Sequence, residues 1–357
     1  MVKSGWKANG MTRLPALVLS GFLCAIGLFA QDDPVIRVNV QLVRVLATVK
    51  DSNGALVGSL DKNDFEIRDN GKLQEISVFE RQTEQPLSIA ILIDNSGSTA
   101  KDLKYETDSV TRFARALFKE GNPQDAAALY SFNWEIVKQS SFSRNAADIE
   151  RRLKLLKGEA GTALYDAILL ASRDIENRSG RKILVIVTDG GDTISRSSFD
   201  RALEAAQLAD VVIYPILVVP ITNDAGRNIG GENALTTLAQ RTGGRVFAPT
   251  LGAALDQSFT QILRELRTQY LIGFYPHDIP LTTERFHTLE VSVPDTQLQV
   301  KARSGYYGEA LPAGSAPVSG GPGNPGQSDS VRKPKPPGKA SQPAPGSEPV
   351  KRRAVQN

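Results

Sequence analysis

The chain has 357 residues, enough for two domains at roughly 150 residues each, and its 41% hydrophobic and 23% charged content predicts a globular protein with a real core. Its net charge of +3 belongs to the ends: residues 1–30 carry three bases and no acid, residues 309–357 carry seven bases and three acids, and residues 31–308 are left at −4. That distribution argues against a basic nucleic-acid-binding body. One cysteine (Cys24) and two histidines (His277 and His287) are too few for a Cys/His zinc centre. Ser-His-Asp chemistry lacks a nucleophile-elbow sequence to go with either histidine.

The first thirty residues read as an export signal, with Lys3, Lys7 and Arg13 leading into an apolar stretch at 14–30 and then polar Gln31-Asp32-Asp33. Cleavage after Ala30 is the expected outcome, with an uncleaved anchor as the alternative. Cys24 follows Gly21-Phe22-Leu23, a poor lipoprotein box, and its removal with the signal leaves a mature chain without thiol chemistry.

Residues 31–86 form the expected N-terminal β module. Residues 35–50 alternate apolar and polar, the period of a strand with one wet face. A turn is expected at 51–54, then strands at 65–68 and 76–79 on either side of Asn70-Gly71. From residue 87 the pattern changes. Continuous apolar runs at 88–93, 182–187 and 211–219 suit strands covered on both faces. A further strand is predicted at 126–132 and a short one at 245–248. Helices are predicted at 101–119, 145–156, 163–178, 198–209, 233–241 and 253–267. Strands alternating with helices predict a doubly wound, mostly parallel α/β sheet of the Rossmann-like kind over residues 87–267.

Residues 268–308 return to β, with strands expected at 270–275, 286–293 and 298–304. The two β flanks are able to form one small sandwich with the α/β core inserted between its halves. Residues 309–357 hold ten of the twenty prolines and are expected to remain a disordered Pro/Gly-rich basic tail.

Three segments are expected at the carboxyl ends of core strands, where ligands bind in open α/β sheets. They are Asp94-Asn95-Ser96-Gly97-Ser98, Gly161-Thr162 and Thr188-Asp189-Gly190. Two carboxylates and three hydroxyls are hard oxygen donors, suited to Mg²⁺, Mn²⁺ or Ca²⁺. With only two negative charges against it, such a dication stays electrophilic and accepts an anionic oxygen from outside. In an extended turn Asp94, Ser96 and Ser98 point the same way, and Gly97 lets the backbone pass close by.

The D-x-S-x-S at residues 94–98, Thr162 and the T-D-G carrying Asp189 resemble the metal-ion-dependent adhesion site of von Willebrand factor type A (VWA) domains, over about residues 87–266. The flanking LDKNDFEIRDNGKLQEISVFE and VKARSGYYG resemble bacterial secreted proteins described as VWFA-related. The resemblance implies that Ser96 and Ser98 bind the metal directly, that Asp94 and Asp189 act partly through water, and that Thr162 engages when ligand binds. It implies an exported, non-enzymatic binding or adhesion module, with Mg²⁺ the first choice of cation. The partner is then a protein that supplies a carboxylate to the metal, and membrane contact comes only through an uncleaved signal segment or the basic tail.

Plainer roles stand beside these. Asp and Ser are ordinary turn and cap residues, and Thr162 alone reads as a helix cap. Asp166 reads as favourable charge in a first helical turn, and Asp192 as a residue of the site's rim or a cap for the next helix. Asn95 and Gly97 read as shape, Trp134 beside Asn133 as a partly buried loop anchor, His277 and His287 as packing or surface residues, and Tyr306-Tyr307 as the close of a strand edge. Two rival functions remain at this point. One is a structural envelope protein with a stabilising metal. The other is a metal-dependent phosphatase with Asp94 as nucleophile, which lacks the second acid two residues on.

Overall fold

The computed structural model describes residues 42–81, 85–99, 102–218, 228–250, 252–277 and 285–308. The expected signal at 1–30, the first part of the 35–50 strand and the expected tail at 309–357 lie outside them.

The chain opens with β1 (Val43–Lys50), β2 (Glu66–Asp69), β3 (Lys72–Gln74) and β4 (Ile76–Glu80). Asn70 and Gly71, both at positive φ (46° and 79°), join β2 to β3 in a tight hairpin. Then follow β5 (Leu87–Asp94), α1 (Leu103–Glu120), β6 (Ala126–Phe132), β7 (Ile136–Ser143), α2 (Ala146–Leu153), α3 (Leu164–Ile175) and β8 (Arg181–Thr188). Next come α4 (Phe199–Leu208), β9 (Val211–Leu217), α5 (Ile229–Thr242) and α6 (Ala253–Thr268). The described chain closes with β10 (Tyr270–Phe274), β11 (Phe286–Ser292), β12 (Gln299–Lys301) and β13 (Gly305–Tyr307).

The central sheet runs β7-β6-β5-β8-β9, parallel except for the antiparallel edge strand β7. Every residue of β5 is buried, which explains why its sequence shows no alternation. Its side chains still divide by parity. Ile89, Ile91 and Ile93 pack with α1, α2 and α6, while Ala90 and Leu92 pack with α3, α4 and α5. The chain winds outward from β5 first through β6 and then through β8. The winding direction therefore reverses at β5/β8, and their carboxyl ends flank the crevice where such folds bind ligands.

The two flanks do pair. One antiparallel sheet, β12-β1-β10-β4, and a second, β13-β11-β2-β3, each combine strands from before and after the α/β core. Their inner faces share a core that includes Val45, Ile67, Ile272, Leu289 and Tyr306. Glu265 of α6 ties the two parts together by accepting from Lys50 of β1 at 2.5 Å, and it also accepts from Arg245 of its own part at 2.6 Å. The junction also holds a cavity of about 240 Å³, lined in part by Arg44, Lys182, Arg241 and Arg303.

Some expectations need correction. Strand β7 has no counterpart among the predicted strands: its IVKQSSFS sequence has one buried residue, Ser140, because an edge strand needs little apolar surface. The strand expected at 245–248 reduces to one bridge, Ile216 with Phe247. That expected at 298–304 splits, leaving β12 short and making Gly305-Tyr306-Tyr307 a strand of its own beside β11. Helix α5 starts at Ile229 rather than 233, with the Asn228 side chain accepting from Gly231 N–H at 2.8 Å.

Candidate metal centre

Asp94 is the last residue of β5 and is fully buried. Its Oδ1 accepts from Ser96 N–H at 2.9 Å, and its Oδ2 accepts from the Thr188 hydroxyl at 2.7 Å. The second bond joins the ends of the two strands that flank the switch point. Thr188 Oγ1 in turn accepts from Gly190 N–H at 3.1 Å, so one threonine shapes the turn that carries Asp189. The sequence alone assigns Thr188 no role of its own, since its part in the site depends on the strand end opposite.

The serine hydroxyls of Ser96 and Ser98 lie 3.0 Å apart, with Ser96 buried and Ser98 exposed. Thr99 fixes this loop by donating its hydroxyl to both Asp94 O and Ser96 O, at 2.9 and 3.0 Å. Asn95 holds the loop to its neighbours: its N–H donates to Phe132 O, its carbonyl accepts from Glu159 N–H, and its Nδ2 donates to Lys157 O. The expected role of Gly97 in a close backbone approach is not found. A Cβ there would meet only Glu159 O at 3.8 Å, an ordinary contact.

A bridge between Ser96 and Glu159 brings the segment before α3 alongside the serine loop. Thr162, in that segment, is buried. Its backbone N–H donates to Thr193 Oγ1 at 2.9 Å and its carbonyl accepts from Thr193 N–H at 2.9 Å, which clips it to the loop after β8. No side-chain cap is formed at this helix start, so the plain N-cap role for Thr162 does not hold. Asp192 accepts from Tyr165 N–H at 3.2 Å, in the first turn of α3. The next helix, α4, is capped instead by Ser198. Asp166, in that same first turn of α3, accepts from Arg196 and Ser197 N–H at 2.8 Å each.

Asp189 is half-buried on the turn after β8. The start of α5 presses on this turn so closely that a Cβ at Gly231 would sit 1.3 Å from Gly190 O. Only glycine fits there.

The electrostatics are adverse. Burial pushes the Asp94 carboxyl up to about 6 although Thr188 and Ser96 hydrogen bonds pull it down, and the charge of Asp189 adds to the rise. Glu106, in the first turn of α1, is fully buried with neither carboxylate oxygen hydrogen-bonded. Burial pushes it up to about 9, and repulsion from Asp94, Asp102 and Asp189 adds to that. Asn95 Oδ1 is likewise buried without a partner. Among the described residues no three His, Cys, Asp or Glu side chains form a metal cage, so a cation here would need hydroxyls and water beside its carboxylates. The donors present fit a hard dication: two carboxylates, two serine hydroxyls and a threonine, in a place where positive charge relieves repulsion.

Trp134, expected to be a partly buried anchor, is 59% exposed and donates its indole N–H to Glu159 at 2.8 Å. Tyr105, Ile194 and Ile229 are also exposed on segments that begin at this end of the sheet. His287 and Tyr306 lie elsewhere, in the sandwich, where both engage Asp69.

The fold and this site define a class: an open, doubly wound α/β domain with clustered oxygen donors at its switch point. Residues 89–191 match the family model of the von Willebrand factor type A domain, and the chain carries such a domain. No curated protein matches the chain. Similar solved structures include an aerotolerance-related membrane protein from Bacteroides fragilis (18% identity, 50% of this chain and 98% of that one, TM-score 0.40). Another is the vWF domain of the type V pili tip protein Mfa5 from Porphyromonas gingivalis (15% identity, 52% and 97%, TM-score 0.43). A third is the PilB minor pilin from Streptococcus sanguinis (14% identity, 53% and 63%, TM-score 0.41).

Proposed function

We propose that this chain is an exported binding module, secreted or held in the cell envelope, that engages a protein partner through a divalent cation. Asp94, Ser96, Ser98, Thr162 and Asp189 would hold the cation, Mg²⁺ in the first instance, with Mn²⁺ or Ca²⁺ as substitutes. The bound cation supplies an electrophilic site for a partner's Asp or Glu carboxylate. The reading rests above all on the crowding at the end of β5, where the paired hydroxyls of Ser96 and Ser98 stand beside carboxylates that repel one another. Exposed Trp134, Tyr105, Ile194 and Ile229 supply apolar contact area around it, of the kind that anchors protein interfaces.

The chain's own residues favour binding over catalysis. A nucleophilic Asp94 would need an oxygen open to in-line approach by a substrate, yet the residue is fully buried, while one hydrogen bond on each oxygen still leaves lone pairs for a small cation or its water. Its geometry is that of a fixed anchor for the loop. Calorimetric titration of Mg²⁺ and Mn²⁺ into the purified chain tests the reading. Saturable binding that disappears in Asp94→Ala is the expected result, and an absence of heat for both ions would overturn it.

A further inference from the structure

Five acids are buried among the described residues: Asp69, Asp94, Glu106, Asp125 and Glu265. Four have partners. Asp69 accepts from Tyr306 and contacts His287; Asp94 accepts from Ser96 and Thr188; Asp125 accepts from Leu87 N–H and pairs with Arg267; Glu265 pairs with Lys50 and Arg245. Glu106 alone of the five has neither oxygen hydrogen-bonded. An acid buried without a hydrogen-bond partner leaves polar oxygens unsatisfied whichever form it takes, at a cost of about 1–3 kcal/mol or more, so an acid at this position calls for a reason beyond packing.

Its place supplies one. The buried stripe of α1 runs Leu103, Glu106, Ser109, Val110, Phe113, Ala114 and Leu117, and of its two polar members Ser109 accepts from Arg112 at 3.0 Å while Glu106 has no hydrogen bond. Glu106 falls in the part of that stripe nearest the serine loop, since α1 begins just after residues 94–99. The charged groups that act on it are Asp94, Asp102 and Asp189, all negative. No cage of three acids forms among the described residues, and a metal-bound water is the kind of donor that would satisfy the two unpartnered Glu106 oxygens.

We propose that Glu106 is a positioning residue of the cation site: its carboxylate accepts hydrogen bonds from water bound to a dication held by the Asp94–Ser96–Ser98 loop. The inference rests on the cation reading above and adds to it a fixed orientation for the bound water. Outer partners of this kind typically change metal affinity by about 10–100-fold. Glu106 therefore lowers the stability of the metal-free fold and raises its affinity for the ion. A residue that only packs would not produce effects of opposite sign.

The test uses the full chain with Mn²⁺ as probe, comparing Glu106→Gln, Glu106→Met and Asp94→Ala with the unsubstituted protein. Calorimetry reads Mn²⁺ affinity, and thermal melting in EDTA reads the metal-free fold. The expected result for both Glu106 variants is an affinity lower by about 10–100-fold with a higher melting temperature in EDTA. Having two variants guards against one that misfolds. Unchanged Mn²⁺ affinity in Glu106→Gln, with binding abolished in Asp94→Ala, would overturn this inference and leave the cation reading standing. No Mn²⁺ binding by the unsubstituted chain would overturn both.

Discussion

The sandwich and the end of the α/β sheet each bury carboxylates, and they treat them in opposite ways. In the sandwich, Asp69 of β2 accepts from the Tyr306 hydroxyl at 2.6 Å and lies 3.1 Å from His287 Nδ1, so a residue of β2 is satisfied by β13 and β11 together. At the end of β5, Asp94 is satisfied but raised by burial, and Glu106 nearby has no hydrogen-bond partner for its carboxylate. The first arrangement is complete within the chain and holds three strands in register. The second leaves Glu106 without a hydrogen bond and sets Asp94 among like charges. Burial alone is thus a poor sign of function; a buried acid whose oxygens lack partners is the better one.

The largest expected effect falls in the sandwich. Asp69→Ala removes the shared partner of Tyr306 and His287 and should cost about 3 kcal/mol in denaturant unfolding. The loss should be the same in Mg²⁺ and in EDTA. A loss that depended on Mg²⁺ would break the distinction between the two regions.

Asp94→Ala should behave differently. In EDTA it should cost roughly 1 kcal/mol, because relief of a desolvated charge offsets the hydrogen bonds lost from Ser96 and Thr188. In Mg²⁺ the gap from the unsubstituted protein should widen. Thermal melts with and without the ion check both points, and equal gaps would count against the comparison.

The smallest effect sharpens it. Burial works against the charged form of Asp166, but hydrogen bonds from Ser197 and Arg196 hold its carboxyl below the ordinary value of 3.8. That stabilisation is present above the ordinary value and is lost as pH falls through the lower folded value. Asp166→Asn should therefore cost roughly 0.5–1 kcal/mol at neutral pH, with the difference closing below about pH 4 in a pH series of melts. Mg²⁺ should not alter it, which would mark Asp166 as a clamp on the 195–197 loop rather than a ligand.

The buried strands were legible because covered β-strands cannot hide: SIAILI and KILVIV have no polar face to present. The positions of Asp94 and Asp189 were legible for the same reason, since a strand's end fixes where the next side chains stand. The opposite cases share a cause as well. β7 is half polar because it lies at an edge, and Trp134 looks like a loop anchor until the loop is seen to turn it outward. Asp69 stands more than two hundred residues from His287 and Tyr306 in the sequence, and only the sandwich brings them together. Glu106 lay between these extremes. An acid on the apolar stripe of α1 was visible in the sequence, but its lack of a partner is a property of the packed core.

The most direct measurement is Mn²⁺ anomalous diffraction from crystals of the chain. The account predicts one strong anomalous peak bounded by the Ser96 and Ser98 hydroxyls, with Asp94, Thr162 and Asp189 around it. It also predicts ordered water between that peak and Glu106. A peak elsewhere, or no peak at a Mn²⁺ concentration that saturates binding in solution, would contradict it.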